Sequence, residues 1–340
     1  MNGKKTENIF DTLVVITPKD FARLRNNYKR LIRWLPKGKV IFIGNKDVGE
    51  LVEELKGVLK SYIPEETGNS NGNEERYTDR IGYINENDIL PFENVHKVME
   101  DKMQPLLKGK ELPRGVTGWY YQQFLKMEYC RICENEYYMS WDGDTVPCRD
   151  VKMFREDGTP YLDLKHEYNE LYFETMGRLI PGLKKLIDAS FISEHMLFKC
   201  GIMKRLIDKI ETNDKIPGSR FYEKIINSID LEDIQSNGFS EFETYGSFVC
   251  LTAPQTYRLR EWHSFRLAGE FFDPDEITDE DYEWLGRDFD AISFEKGMTV
   301  REDHRNLFDN KEYQVRLSAR QMLEIAQEEF LEGYKEVWTE

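Results

Sequence analysis

Two aspartates separated by a single glycine follow an aromatic segment near the middle of the chain. Residues 137–147 read Tyr-Tyr-Met-Ser-Trp-Asp-Gly-Asp-Thr-Val-Pro, which predicts a strand that ends at Asp142. Because successive strand residues point to opposite faces, Asp142 and Asp144 should point the same way at the strand's carboxyl end. Gly143 between them lets the backbone turn or approach a ligand closely. Paired carboxylates in an open position suit Mg²⁺ or Mn²⁺ together with phosphate oxygens, so the pattern predicts a metal–diphosphate site, with a simple solvated turn as the alternative.

A predicted helix precedes the acidic strand and carries further polar side chains. Gln122 and Lys126 are four residues apart and therefore share one helix face, beside Gln123. A lysine on that face could reach a phosphate as a point charge, and the alternative is a solvated helix face.

Two pairs of ionisable residues interrupt apolar runs later in the chain. Glu194 and His195 lie within 191–198 and are either a structural hydrogen-bonding unit or part of a site. Glu241 and Glu243 alternate before an apolar run, and one of them could be the general base that deprotonates an acceptor hydroxyl. The alternative for this second pair is a solvent-facing strand edge.

His263 is the best late candidate for a third metal ligand, although a lone histidine is more often structural. Cys130 and Cys133 form a CxxC, which is typical of zinc or redox sites. No second CxxC or suitable histidine pair accompanies them, so ordinary helix-packing thiols are the favoured interpretation.

Composition excludes several classes of protein. The chain has 340 residues, with 47 Lys and Arg against 63 Asp and Glu, giving a net charge of −16. Such a charge opposes binding to nucleic acid and to anionic lipid, so no nucleic-acid partner is predicted. An odd count of five scattered cysteines favours a reducing compartment over a disulfide framework. No signal-type region or membrane-spanning apolar run is present, which predicts a soluble, cytoplasmic protein. The inner face of the membrane is the alternative location.

The chain begins with alternating strands and helices. Residues 12–17 and 40–44 are apolar strands of the kind buried in a parallel sheet, and 21–34 and 51–62 have helical spacing. This order predicts an α/β fold built on a doubly wound sheet. Residues 64–79 are nearly all polar and predict a mobile surface loop. The later predicted elements are a strand and polar turn over 82–90, helices over 93–107 and 115–133, a hairpin over 151–164, and helices over 167–180, 203–210, 221–229 and 314–338.

The combination and order of five segments resemble a bacterial family of GT-A-type glycosyltransferases with a DxD motif, many of uncertain substrate. The segments are 13–17 (Leu-Val-Val-Ile-Thr), 118–126 (Gly-Trp-Tyr-Tyr-Gln-Gln-Phe-Leu-Lys), 141–147, 191–196 (Phe-Ile-Ser-Glu-His-Met) and 239–246 (Phe-Ser-Glu-Phe-Glu-Thr-Tyr-Gly). The resemblance runs from about residue 12 to about residue 269. It implies a GT-A-like, Rossmann-type mixed sheet flanked by helices in a catalytic domain over 8–270. Residues 271–340 would then form a helical extension packed on that domain.

The resemblance also implies an activity, which is transfer of a hexose-type sugar from a nucleotide-diphospho-sugar to an acceptor hydroxyl. A UDP-sugar is the first candidate donor, Mn²⁺ or Mg²⁺ the cofactor, and a glycan or lipid-linked glycan of bacterial surface polysaccharide the acceptor. The residues implied near the donor are Thr17, Gln123, Lys126, Asp142, Gly143 and Asp144. Those implied around the sugar and acceptor are Glu194, His195, Glu241 and Glu243, and those implied at the metal are Asp142 and Asp144, with His263 as the candidate third ligand.

Two other classes remain open at this stage. A nucleotidyltransferase that makes a nucleotide sugar ordinarily has a glycine-rich, basic loop after its first strand, and residues 17–20 (Thr-Pro-Lys-Asp) offer none. A noncatalytic sugar-binding module is supported by the 18 tyrosines and 6 tryptophans, although such residues more often serve packing. Within the transferase interpretation, both inverting and retaining reactions fit the sequence.

Overall fold

The computed structural model describes residues 9–60, 77–301, 308 and 310–330. The strands, numbered in chain order, are β1 (Asp11–Val15), β2 (Val40–Gly44), β3 (Ile81–Asn85), β4 (Tyr137–Trp141), β5 (Thr145–Pro147), β6 (Tyr161–Leu164), β7 (His195–Lys199), β8 (Arg258–Glu261), β9 (Ser264–Phe265) and β10 (Ala291–Ser293). The helices are α1 (Pro18–Leu24), α2 (Tyr28–Trp34), α3 (Lys46–Leu59), α4 (Glu86–Ile89), α5 (Phe92–Leu107), α6 (Arg114–Glu128), α7 (Glu170–Leu179), α8 (Cys200–Glu211), α9 (Phe221–Ser228), α10 (Glu241–Thr252) and α11 (Asp279–Leu285), followed by Lys311–Arg316 and Ala319–Phe330.

The centre of the fold is a five-stranded mixed sheet with the order β3-β2-β1-β4-β7. The first four strands in that order are parallel, and β7 runs antiparallel to β4. Helices cover both faces because both faces of the inner strands are apolar. Leu13 belongs to an apolar cluster that includes residues of α5–α10, and Val14 belongs to a second cluster that includes residues of α1–α3 and residues from 262 onward. The predicted α/β class, with a mixed sheet flanked by helices, is confirmed.

Two smaller sheets extend the molecule beyond the central one. The order of one is β5-β10-β9, and the other pairs β6 with β8 in parallel. Strand β10 belongs to the region 271–340, for which only helices were predicted, and it pairs with β5 from the predicted catalytic domain. That part of the prediction is corrected: the extension contributes a strand as well as helices, and a boundary at residue 270 divides this sheet.

Several predicted helices and turns have different bounds. The helix predicted over 21–34 is interrupted by a 3-10 turn at Arg25–Asn27, and the polar turn predicted at 85–88 is the short helix α4, which Asn85 caps. The carboxy-terminal helix breaks between residues 316 and 319, and its predicted end lies outside the described residues. Most of the 64–79 loop also lies outside them.

The hairpin predicted over 151–164 is present only in part. Phe154 and Pro160 form an isolated antiparallel bridge, and the Tyr161 N–H donates to the Met153 carbonyl at 2.9 Å. The continuous partner of β6 is β8, about 100 residues later in the chain, so the hairpin is a turn that leads into a longer-range pairing. Across the described ranges, no helix combines the length and apolarity that crossing a bilayer requires.

Candidate active site

The two aspartates lie at the carboxyl end of β4. The strand ends at Trp141, and the Asp142 N–H donates to the Glu194 carbonyl at 2.8 Å. The Thr145 N–H donates to the Asp142 carbonyl at 3.1 Å, and the Trp141 indole N–H donates to the Thr145 carbonyl at 2.8 Å. These bonds close a tight turn, so both carboxylates emerge from one rigid end of the sheet.

This end of β4 coincides with the switch point of the sheet. From β1 the chain builds β2 and β3 on one side, and β4 then pairs with the other side of β1. Ligands of open α/β sheets bind outside the carboxyl ends of the strands at such a point. A Cβ at Gly143 would lie only 2.8 Å from Ile16 Cδ1, so glycine allows the acidic turn to pack against the segment after β1. Thr17 follows Ile16 and caps α1, where its Oγ1 accepts from the Asp20 N–H at 3.2 Å.

Lys126 joins the acidic turn to α10. Its Nζ lies 2.9 Å from Asp142 Oδ1 and 2.9 Å from Glu241 Oε1. The Lys126 and Glu241 side chains are 4% and 5% exposed, whereas that of Asp142 is 34% exposed. Burial lowers the pKa of Lys126, but the two carboxylates raise it more, so the net pKa lies above the usual lysine value. The ammonium therefore stays charged, and Asp142 is the open side of this cluster.

Glu241 and Gln123 are linked through the start of α10. The Glu241 N–H donates to Gln123 Oε1 at 3.0 Å, and Gln123 Nε2 donates to the Trp119 carbonyl at 3.3 Å. Burial raises the pKa of Glu241, although Lys126 opposes the shift. Predicted site residues from α6, β4 and α10 are thus brought together around one ammonium group.

Asp144 has a different environment from Asp142. Burial raises the pKa of Asp144 to about 7, and the negative charges of Asp142 and Glu295 add to the effect, while Arg266 and Arg23 oppose it. Thr145 Oγ1 lies 3.4 Å from Asp144 Oδ1, a long contact. The two arginines therefore do not fully offset the effect of burial and of the neighbouring negative charges on Asp144.

Arg266 and Arg23 are functional candidates that sequence reasoning missed. Arg266 Nε lies 2.8 Å from Glu295 Oε1 and 3.8 Å from Glu194 Oε1, and its guanidinium also pairs with Glu167. Arg23 donates from Nη1 to the Phe294 carbonyl at 2.6 Å. Neither arginine belongs to a recognisable motif, and the partners of Arg266 are spread along the chain, so only the tertiary structure identifies them.

Glu194 supports the acidic turn from β7. It adopts a left-handed conformation with φ +59°, which is strained for a residue with a side chain. Its Oε2 accepts from the Trp262 indole at 3.1 Å and from Ser264 Oγ at 2.8 Å, and these bonds hold the backbone whose carbonyl receives Asp142. Within the described ranges Glu194 Oε1 is buried without a hydrogen bond.

His195 lies away from the open side of the site. It is fully buried, with Nδ1 2.8 Å from the Ser193 carbonyl and Nε2 2.8 Å from Asp163 Oδ2. Arg260 donates to both oxygens of Asp163, at 2.6 and 2.7 Å. Burial raises the pKa of Asp163, but His195 and Arg260 lower it more, and the net shift is downward. The structure thus gives His195 a complete set of internal partners.

Glu243 lies on a helix and is buried, so the alternative of a solvent-facing strand edge for Glu241 and Glu243 is wrong. Ser240 Oγ accepts from the Glu243 N–H at 3.2 Å and caps α10, so the two glutamates occupy its first turn. Glu243 Oε1 accepts from Ser190 Oγ at 2.5 Å and from the Phe191 N–H at 3.0 Å, and burial raises its pKa. Glu243 holds the loop before β7, while Glu241 faces Lys126.

The structure does not bring His263 to the two aspartates. Its backbone pairs with Asp290, and the described residues contain no group of three His, Cys, Asp or Glu side chains that could hold a metal ion. Asp142 and Asp144 nevertheless fit a divalent cation, because such a cation would offset the burial and the like-charge repulsion that raise the pKa of Asp144. Mg²⁺ commonly binds through one or two carboxylates and completes its coordination with water and substrate phosphates.

Comparison with solved structures finds sugar-transferring enzymes at low sequence identity. Mouse xyloside xylosyltransferase 1 in its apo form is 11% identical with a TM-score of 0.40, over 86% of this chain and 99% of that one. The galactosyltransferase LgtC in complex with donor and acceptor sugar analogues is 12% identical with a TM-score of 0.37, over 91% and 100%. The mannosyltransferase Ktr4p from S. cerevisiae in complex with GDP is 12% identical with a TM-score of 0.40, over 74% and 69%.

No curated protein matches the sequence. A sequence family matches residues 74–308, which is more than half of the chain and includes α6, the acidic turn, β7 and α10. The chain therefore belongs to this family, which is described as a family of unknown function, DUF6492.

Proposed function

We propose that the protein is a metal-dependent glycosyltransferase that moves a sugar from a nucleotide-diphospho-sugar to an acceptor hydroxyl. The observation that carries the proposal is the position of Asp142 and Asp144 at the carboxyl end of β4, at the switch point of an open α/β sheet. An acidic pair at that position suits a cation that is shared with a diphosphate, and the chain offers no glycine-rich loop after β1 for a nucleoside triphosphate.

Asp142 and Asp144 would hold Mn²⁺ or Mg²⁺, and the first candidate donor is a UDP-sugar. When bound, the metal neutralises charge on the departing nucleoside diphosphate. Thr17 and Gly143 line the two strand ends that meet at the switch point, where backbone groups can approach the donor. Both residues are small, and Thr17 is exposed at the start of α1.

Lys126 supplies a fixed positive charge beside Asp142. Because Asp142 and Glu241 keep this ammonium charged and in place, it needs no reorganisation when negative charge develops on the leaving group. Gln123 Oε1 accepts from the Glu241 backbone N–H and so orients Glu241. This bond joins α6 to the start of α10.

Glu241 is the carboxylate that would accept the proton of the acceptor hydroxyl in an inverting transfer. Its raised pKa moves it towards the range in which a carboxylate is an effective base. The Lys126 ammonium contacts both Glu241 and Asp142, so Glu241 lies close to the acidic turn. Glu243 is the less suitable candidate because its Oε1 already accepts two hydrogen bonds.

The acceptor in this proposal is a glycan or lipid-linked glycan of bacterial surface polysaccharide, glycosylated in the cytoplasm or at the inner face of the membrane. This finer assignment rests on the order of motifs from residue 118 to residue 246.

The decisive experiment measures binding and turnover with the same variants. Melting temperature should rise most when Mn²⁺ and UDP or GDP are added together, because a ligand that binds only the folded state stabilises it. Asp142→Asn and Asp144→Asn together should remove the metal-dependent part of this rise and abolish sugar transfer from a panel of nucleotide sugars. Asp101→Asn, on the exposed face of α5, is the matched control.

Three outcomes would contradict the proposal. Unchanged turnover in the double variant would reject the metal role. Release of pyrophosphate from a nucleoside triphosphate and a sugar phosphate would identify a nucleotidyltransferase. Binding of free sugars without turnover of any nucleotide sugar would identify a noncatalytic sugar-binding module.

A further inference from the structure

Cys133 and Cys200 converge on one backbone oxygen far from the acidic turn. Cys133 Sγ lies 3.6 Å and Cys200 Sγ lies 3.1 Å from the Asn135 carbonyl oxygen, and the two thiols also interact directly through a side-chain hydrogen bond. Both cysteines are free thiols. The Cys200 N–H also donates to the Glu136 carbonyl at 2.9 Å, which fixes the start of α8 against the segment before β4.

The two thiols differ in exposure and in acidity. Cys133 is half-buried, whereas Cys200 is buried. The interaction with Cys200 lowers the pKa of Cys133, and the same interaction raises the pKa of Cys200. The Lys204 ammonium favours the thiolate of Cys133, while Asp11 opposes it. Thiolate character and access decide which cysteine attacks first, and both favour Cys133.

The other nearby cysteine, Cys130, is unsuited to either role. It is fully buried, and burial raises its pKa to about 12. The CxxC spacing is therefore not the functional unit, because the partner of Cys133 is supplied by α8, 67 positions later in the chain.

We propose that Cys133 and Cys200 form a thiol–disulfide exchange site that takes small-molecule disulfides. The Cys133 thiolate attacks one sulfur of the small disulfide, the S–S bond breaks, and one small thiolate leaves with Cys133 in a mixed disulfide. Cys200 then loses its proton to solvent and attacks Cys133 Sγ, which releases the second small thiolate and forms the Cys133–Cys200 bond. Two protein thiols are oxidised and one small disulfide is reduced to two thiols, so atoms and electrons balance.

The resulting cross-link would join the segment after α6 to the start of α8. It would close a long loop that contains β4 and β7, and a cross-link of this kind restricts the unfolded chain. Oxidation should therefore raise the melting temperature of the folded protein, and reduction should reverse the change. The site requires neither a metal nor a nucleotide sugar, so its test is independent of the transfer activity.

The test uses hydroxyethyl disulfide, a neutral reagent that the acidic residues beside Cys133 do not repel. The full-length protein is incubated with the reagent, its remaining thiols are alkylated, and the products are examined by intact mass and peptide mapping. We expect the wild type to lose two hydrogen atoms without retaining an adduct, to show a Cys133–Cys200 peptide, and to melt at a higher temperature. Cys200→Ser should retain the hydroxyethylthio adduct on Cys133, and Cys250→Ser should behave as the wild type.

Three results would overturn the proposal. The wild type could retain the adduct on Cys133, or it could form a Cys130–Cys133 bond. Cys250 could also react as fast as Cys133, whereas the difference in thiolate character predicts a rate at least about tenfold lower for Cys250. Because the peptide map of the wild type alone distinguishes these results, the test does not depend on the folding of a variant.

Discussion

Two largely buried charged clusters lie close to the carboxyl end of strand β4, and they differ in how completely their charges are paired. The Lys126 cluster consists of Lys126, Asp142 and Glu241, and one of its carboxylates is 34% exposed. The Asp163 cluster consists of Asp163, His195 and Arg260, and its aspartate is 1% exposed. Each contains groups that the sequence marks as candidates for chemistry.

The difference shows how a functional cluster is distinguished from a structural one. In the Asp163 cluster both carboxylate oxygens and both imidazole nitrogens have protein partners, so neither the aspartate nor the histidine offers an unpartnered atom to a ligand. In the Lys126 cluster Asp142 is open, and Asp144 beside it has a pKa raised to about 7 by burial and neighbouring negative charge. Incomplete pairing at an accessible position, and not the presence of buried charge, marks the candidate site.

The largest expected effect separates the two glutamates of α10. Glu241→Gln should lower kcat about 10²–10⁴-fold, because it removes a general base and one carboxylate that holds Lys126. Glu243→Gln should leave kcat within about threefold and mainly lower stability, because it weakens a buried hydrogen bond to the loop before β7. Steady-state kinetics with the identified nucleotide sugar provide the measurement. Two mild effects on kcat would remove the base assignment from Glu241.

A large loss of stability without loss of activity is expected in the Asp163 cluster. Asp163→Asn removes the buried carboxylate that pairs with His195 and with the partly exposed Arg260, and breaking a buried pair of this kind costs about 3–5 kcal/mol in the free energy of unfolding. Urea denaturation should show this loss, while turnover per folded molecule stays close to that of the wild type. A much smaller loss for Asp142→Asn, whose side chain is partly exposed, would complete the contrast. If Asp163→Asn and Asp142→Asn lost the same stability and only Asp163→Asn lost turnover, the Asp163 cluster would instead belong to the active site.

The pH dependence of stability should differ between wild type and Asp144→Asn. The folded pKa of Asp144 is raised from 3.8 to about 7, so the folded state binds more protons than the unfolded state in that window. The stability contributed by protonated Asp144 is therefore present below pH 3.8 and is lost as pH rises through about 7.

Asp144→Asn should accordingly be more stable than the wild type at pH 8 without divalent metal, by about 2–4 kcal/mol, since each pKa unit corresponds to about 1.4 kcal/mol. The difference should shrink as pH falls towards 4, and Mn²⁺ should stabilise only the wild type. Urea denaturation at several pH values, with and without Mn²⁺, measures both effects. An advantage for the variant that is the same at pH 5 and pH 8 would rule out titration of Asp144 as its cause.

The sequence was most informative where chemistry is local. The position of Asp142 and Asp144 at a strand end follows from residues 137–147, and the parallel start of the sheet follows from two apolar strands separated by helices. The helix at residue 241 was missed although a signal was present: Ser240 followed three residues later by Glu243 is typical of a helix N-terminus. The alternating carboxylates Glu241 and Glu243 instead raised a solvent-facing strand edge as the alternative.

Other features of the site depend on contacts that no local pattern encodes. Arg266 is paired with glutamates about 30, 70 and 100 residues away, and His195 is paired with Asp163, 32 positions earlier. A histidine beside a glutamate in an apolar run has the same sequence signature whether it faces a ligand or a buried carboxylate. Tertiary pairing decides between the two, so the sequence could propose Glu194 and His195 but could not separate their environments.

The smallest expected effect concerns the packing that holds the acidic turn against the segment after β1. Gly143→Ala places a Cβ 2.8 Å from Ile16 Cδ1, so either the turn or Ile16 must move. Overpacking of this kind costs about 1–3 kcal/mol, and displacement of the turn should weaken Mn²⁺ and donor binding more than it slows transfer. Ile16→Val removes Cδ1 and should restore part of both losses in the double variant, although alone it costs about 1 kcal/mol. Binding titrations and urea denaturation of the four proteins form a double-mutant cycle. Additive effects would mean that the turn is not positioned by Ile16, and the open position of Asp142 would then depend on Lys126 and the Glu194 carbonyl alone.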